Sequence, residues 1–69
     1  MAKTYADRLR ELREDNDLTQ NDIAKLLNTT QQVYSRYEHG ENETPIRHIV
    51  TLARFYKVSS DYILGLNDK

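Results

Sequence analysis

The sequence predicts an all-α domain of five short helices, and three observations carry that prediction. Apolar residues recur at helical offsets of three and four along nearly the whole chain, and no stretch reads as a strand. The two glycines and the single proline, Gly40, Gly65 and Pro45, all fall between or after the periodic segments. The chain has 69 residues, room for one compact domain spanning 1–69, and at that size only about 60% of the unfolded surface is buried.

The first element is predicted over roughly residues 4–15, where Tyr5, Leu9 and Leu12 stand at i, i+4 and i+7 with Ala6 beside them, forming one apolar stripe. Asn16 and Asp17 tolerate the left-handed backbone that stops a helix. Thr19 is the next N-cap, with Asp22 three residues on as an acidic stand-in for the capping-box glutamate, and Ile23, Ala24 and Leu27 supply the buried face of a helix of about two turns. Asn28 ends it, and Thr30 caps a third helix reaching Glu38 and ending near Gly40. The joint between these two helices is therefore only about three residues long and forces a steep crossing.

Glu41-Asn42-Glu43-Thr44 reads as a polar loop and Pro45 as the opening of a fourth helix. Its buried repeat is expected to be Ile46, Ile49, Val50, Ala53 and Tyr56, with Leu52 on the flank. Lys57-Val58 breaks that helix. Ser59 or Ser60 caps a last short one, which Tyr62, Ile63 and Leu64 dock before Gly65.

Composition excludes several classes of protein. Charged residues make up 30% and hydrophobic ones 38%, a folded profile without a low-complexity tract. Cysteine is absent, so disulfides and thiolate metal sites are excluded. No apolar run reaches the roughly 18 residues of a membrane span and no secretion signal opens the chain, so a cytoplasmic location is expected. His39 and His48 are nine positions apart on different elements, with no cysteine or carboxylate cluster to complete a metal set; both are read as surface residues. Ser35, Ser59 and Ser60 lack an adjacent base, and there is no glycine-rich phosphate loop. Neither catalysis nor a cofactor, metal or small-molecule ligand is expected.

The third helix carries the chemistry. On a helical wheel Tyr34 and Tyr37 occupy the centre of one side, Gln32, Ser35 and Arg36 lie opposite, and Gln31 sits at the N-terminal margin of the polar face. A glutamine amide can pair with both N6 and N7 of adenine, and an arginine with O6 and N7 of guanine, each good pair giving about 1–3 kcal/mol of discrimination. On an arbitrary helix such residues are ordinary solvated side chains. The surrounding run argues otherwise: Leu18-Thr19-Gln20, Ile23-Ala24, Leu27, then Thr30-Gln31-Gln32-Val33-Tyr34-Ser35-Arg36-Tyr37-Glu38-His39-Gly40, and Pro45. It resembles the Cro and phage-repressor (XRE-like) family of helix-turn-helix transcriptional regulators. The likeness continues through Leu52-Ala53, Val58-Ser59 and Asp61-Tyr62-Ile63-Leu64-Gly65, and so covers nearly all of the chain from Leu9 onward.

The resemblance implies a lambda-repressor-like fold with its helix-turn-helix at about 19–38. It implies base contacts by Gln31, Gln32 and Arg36, and phosphate contacts by Gln20, Thr30 and Ser35. It gives Arg13 and Glu38 the part of a structural pair joining the first helix to the end of the third, and Ala24 that of a small packing residue between the second and third; Tyr34 and Tyr37 hold the third helix to the core. Val33 is read as either a contact to a thymine methyl or the edge of the core. The partner implied is double-stranded DNA with a pseudo-palindromic operator, bound by a homodimer, with repression as the outcome; the last helix is a candidate dimer surface or simply the lid of the core.

One feature of the sequence opposes this reading. The formal net charge is -1, and the loop after the third helix carries Glu41 and Glu43 where related repressors often have basic residues. Contacts to the phosphates are then left to amide groups, helix N-termini, Arg36 and Arg47, so few phosphates are neutralised and a shallow salt dependence is expected, with a slope of about -2 to -4 per domain. A second hypothesis, an antitoxin-like or adaptor subunit whose main partner is another protein, draws on the same acidic loop. Replacing Gln31 and Gln32 together separates the two.

Overall fold

The computed structural model describes residues 4–66. Five helices succeed one another, α1 (Tyr5–Asp15), α2 (Gln20–Leu26), α3 (Gln31–Glu38), α4 (Ile46–Tyr56) and α5 (Ser60–Leu64), with no strand among the described residues. All five lie where the apolar periodicity and the caps predict them.

Caps set the starts. Thr4 and Thr19 each close a capping box, the first with Asp7 and the second with Asp22, so two of the amides left without helical partners are satisfied. Thr30 accepts from the Val33 N–H at 3.2 Å, and Ser59, rather than Ser60, accepts from the Tyr62 N–H at 3.0 Å. Pro45 occupies the cap position of α4 rather than its first turn, and its carbonyl takes the amides of His48 and Ile49.

The ends share one device. A residue at positive φ succeeds or caps each helix: Asp17 (56°), Asn28 (59°), Gly40 (74°), Lys57 (59°) and Gly65 (80°). The next residue then donates to the carbonyl five positions back, Leu18 to Arg13, Thr29 to Ala24, Glu41 to Arg36, Val58 to Ala53 and Leu66 to Asp61, with N···O distances of 2.8–3.1 Å. A Cβ at Gly40 would meet nothing within 4 Å, so only the backbone angle calls for glycine there.

The core is a single cluster contributed by all five helices: Leu9 and Leu12 from α1, Ile23, Ala24 and Leu27 from α2 and its cap, Tyr34 and Tyr37 from α3, Ile49, Leu52 and Ala53 from α4, and Ile63 from α5. The expected reading of α4 needs correction in four places, the first being Ile46, expected in the buried repeat and instead 73% exposed. Leu52 is fully buried, not flanking; Val50 is 39% exposed; and His48, read from the sequence as a surface residue, is 8% exposed and tilts against Tyr37 at 6.0 Å. The reason is phase. The stripe runs Ile49, Leu52, Ala53, Tyr56, while Ile46 at the first turn overhangs the core at 73% exposure and so misplaces the stripe when it is taken as the starting point. In α5, Ile63 closes the core and Leu64 stays exposed.

Candidate nucleic-acid interface

Thr30 ends the turn after α2 in extended backbone and starts α3 at once. The helix it opens is sharply divided in two. Tyr34 is fully buried and Tyr37 nearly so, their rings meeting edge to face at 6.3 Å, an arrangement that favours ring edge against ring face. Gln31, Gln32 and Arg36 on the other side are exposed, and Ser35 is half-buried. Val33 is also half-buried and packs against the core cluster, so of its two expected roles the structure supports the core edge.

The exposed side of α3 forms an open concave surface with the start of α2 and the loop after α3. Gln20, Gln31, Gln32, Ser35, Arg36, His39 and Glu41 line it. Five of the six residues expected to touch DNA are thus brought together; the sixth, Thr30, is exposed at the adjoining helix start with its hydroxyl oxygen engaged as the cap. His39, which no sequence pattern singles out for this role, joins them, and its Nδ1 lies 3.3 Å from the Ser35 Oγ. Glu41 reaches this surface because its own N–H closes the end of α3 on the Arg36 carbonyl. The other loop acid, Glu43, is exposed but does not line it. The loop is fastened from behind, the Tyr5 hydroxyl accepting from the Thr44 N–H at 3.2 Å and donating to the Asn42 carbonyl at 3.5 Å.

Behind Gln20 at the concave surface lies a charge pair of a buried Glu38 and a half-buried Arg13. Arg13 of α1 donates from Nε to Glu38 Oε2 at 2.7 Å and from Nη2 to Oε1 at 3.0 Å, a two-pronged match of guanidinium to carboxylate. Its remaining nitrogen, Nη1, holds the Leu18 carbonyl at 2.9 Å. Side-chain exposure is 13% for Arg13 and 2% for Glu38. Burial alone would raise the Glu38 carboxyl. Hydrogen bonding from Arg13 and Gln20, with the Tyr34 hydroxyl close by and the positive charge of Arg13, outweighs it and holds the group below the ordinary glutamate value. Tyr34 lies against this carboxylate without closing a hydrogen bond of good geometry. Arg13 and Glu38 thus join α1 to the end of α3.

The unexpected contact is the one from Gln20. Its Nε2 donates to Glu38 Oε1 at 3.1 Å, so the residue expected to hold a phosphate is also tied to the buried pair. No spacing rule relates two positions 18 apart on different helices, and so local sequence carries no sign of it. Ala24 of α2 is 1% exposed and belongs to the core cluster. Among the described residues no group of three or more histidines, cysteines and carboxylates is placed to hold a metal ion, and no helix is long and apolar enough to cross a membrane.

Comparison with known proteins agrees with this geometry. A family model described as helix-turn-helix matches residues 9–63. YobD of Bacillus subtilis, an uncharacterized HTH-type transcriptional regulator, is 42% identical over 64 residues, covering 93% of this chain and 57% of its own length. ImmR of the same organism, an HTH-type transcriptional regulator, is 33% identical over 61 residues, covering 88% and 48%. The chain thus spans about half the length of the curated relatives it matches. Among solved structures, a transcriptional regulator from Listeria innocua superposes with a TM-score of 0.87 at 28% identity, covering 94% of this chain and 61% of that one. The P22 c2 repressor, solved with a synthetic operator, gives 0.84 at 22% identity with 94% and 98% covered, a likeness of fold.

Proposed function

We propose that this chain, which belongs to the helix-turn-helix family, is the DNA-binding part of a transcriptional regulator that reads the major groove with α3. One observation carries the reading: α3 is anchored through Tyr34 and Tyr37, while Gln31, Gln32 and Arg36 project from its opposite side, uncovered by the rest of the domain. A helix presented in this way places its first residues at base edges, where amide and guanidinium groups discriminate adenine and guanine. Gln20, Thr30 and Ser35 flank that row and serve the phosphates, fixing register rather than reading sequence.

One such surface makes few base contacts, so the regulator works as a homodimer on a pseudo-palindrome whose half-sites lie one helical turn, about 34 Å, apart, and represses by occupying the operator. Its place of action is the cytoplasm. The named relatives are regulators, and a fold neighbour was solved on an operator.

Unbiased selection of DNA duplexes at a stated salt concentration tests the reading. The wild-type domain should enrich a symmetric sequence, and Gln31→Ala with Gln32→Ala should abolish that enrichment while the helical circular dichroism is unchanged. Failure of the wild type to enrich any duplex, or full enrichment by the double variant, would refute it.

A further inference from the structure

We propose that Glu38, although sealed from any ligand, is a positioning residue of the DNA interface: by accepting one N–H of Gln20 it fixes how that amide presents its second N–H to the backbone of the DNA. The inference rests on α3 and its surroundings being a DNA-reading surface. An ionised carboxylate accepts hydrogen bonds and cannot donate them, so the amide nitrogen of Gln20 must turn inward to Glu38 Oε1; the reversed amide would set two oxygens against each other. The second N–H is left as the group that can donate to a phosphate oxygen, at the edge of the concave surface the residue shares with Gln31 and Arg36; the carbonyl oxygen, an acceptor, cannot serve there.

Glu38 is itself unable to reorient. Both of its oxygens are held by Arg13, at 2.7 and 3.0 Å, and its side chain is 2% exposed. The rigid carboxylate therefore transmits a fixed orientation to a half-buried glutamine that would otherwise rotate among several rotamers. Arg13 completes the arrangement by neutralising a negative charge that would otherwise lie just beneath a surface meant for phosphates. A pair that ties α1 to α3 thus also governs a contact at the start of α2.

The test separates holding the fold from aiming the amide. Replacing a buried ion pair by apolar side chains of similar volume commonly preserves stability, so Arg13→Met with Glu38→Met keeps the domain folded but removes the acceptor. On the duplex selected by the wild type, this paired variant should bind about 3- to 10-fold more weakly, the worth of one hydrogen bond. Gln20→Met should lose a similar factor, and adding it to the paired variant should cost nothing more. Wild-type affinity in the folded paired variant would overturn the proposal, as would an undiminished cost of Gln20→Met in that background.

A second measurement needs neither DNA nor mutation. In the ¹⁵N spectrum of the wild-type domain, the side-chain amide signals of Gln20 should track the titration of Glu38 while those of Gln31 and Gln32 do not; a Gln20 signal indifferent to Glu38 would overturn the proposal even if the paired variant failed to fold. A wild type that selects no duplex is a different result. It sinks the functional reading and this inference together, whereas a binding wild type matched by an equally binding paired variant sinks the inference alone.

Discussion

Glu38 stays charged among apolar neighbours because Arg13 meets it with two nitrogens and Gln20 with a third. Removing one partner leaves the other buried without compensation, which commonly costs about 3–5 kcal/mol. Arg13→Ala should therefore lower stability by about that amount in urea denaturation, and a loss no larger than that of an ordinary surface substitution would show that water replaces the guanidinium. Arg13→Lys is not a conservative change here, since a single ammonium cannot hold both carboxylate oxygens and the Leu18 carbonyl together. The outward residues behave differently. Gln31, Gln32 and Arg36 touch solvent and should tolerate substitution in the free domain; on the proposed function their loss should be felt only in DNA binding.

At the scale of elements, each helix is begun by a cap and stopped by a left-handed residue, and most of this punctuation is legible in local sequence. Thr19, Thr30, Asn28 and Asp17 are identifiable because threonine caps and the αL tolerance of asparagine and aspartate depend on one residue and its near neighbours. Lys57 is the exception in kind. A lysine at φ 59° carries the steric cost of a left-handed backbone that glycine avoids. Lys57→Gly should raise stability by about 0.5–1 kcal/mol, read as a higher denaturation midpoint, because relief of about 1–2 kcal/mol of strain is partly offset by the freer unfolded chain. Phase and partnership are what local sequence does not reveal. Two one-turn choices for α4 satisfy the same apolar spacing, and only packing into the shared core, with His48 against Tyr37 of α3, buries Leu52 and His48 and leaves Val50 out. The site is legible as a row of polar residues on one face; its link through Gln20 to Glu38 joins distant segments and needs the tertiary fold.

For the whole molecule, proton linkage predicts a stability maximum between two flanks. Burial, then the charge of Arg47, lowers His48 below its ordinary 6.5, so the unfolded chain binds more protons than the folded one as pH falls below that value. Stability present above pH 6.5 is then lost on acidification through the folded pKa. Glu38 adds to the loss below 4.5, because a carboxyl held low contributes fully above its unfolded value and gives up that contribution as it protonates. On the alkaline side, burial raises Tyr34, and raises Tyr56 to about 12, so stability declines as pH climbs past the ordinary phenol value of 10.0. Urea midpoints measured from about pH 4 to 11 check this shape, and a midpoint that rises on acidification from about pH 7 would contradict it. His48→Asn should remove the limb that begins at 6.5. Salt supplies the matching test of binding. With net charge -1 and Glu41 on the concave face, the proposed interface should neutralise few phosphates, and log K against log salt should fall with a slope of about -2 to -4 per domain.

The joint between α2 and α3 has a thermodynamic consequence. Thr29 donates back to Ala24, Asn28 turns left-handed, and Thr30 begins the next helix without a slack residue between them. Docking such a preassembled pair requires no disorder-to-order transition, so the heat-capacity change of complex formation should reflect only the surface dehydrated at contact, without the added increment that accompanies coupled folding.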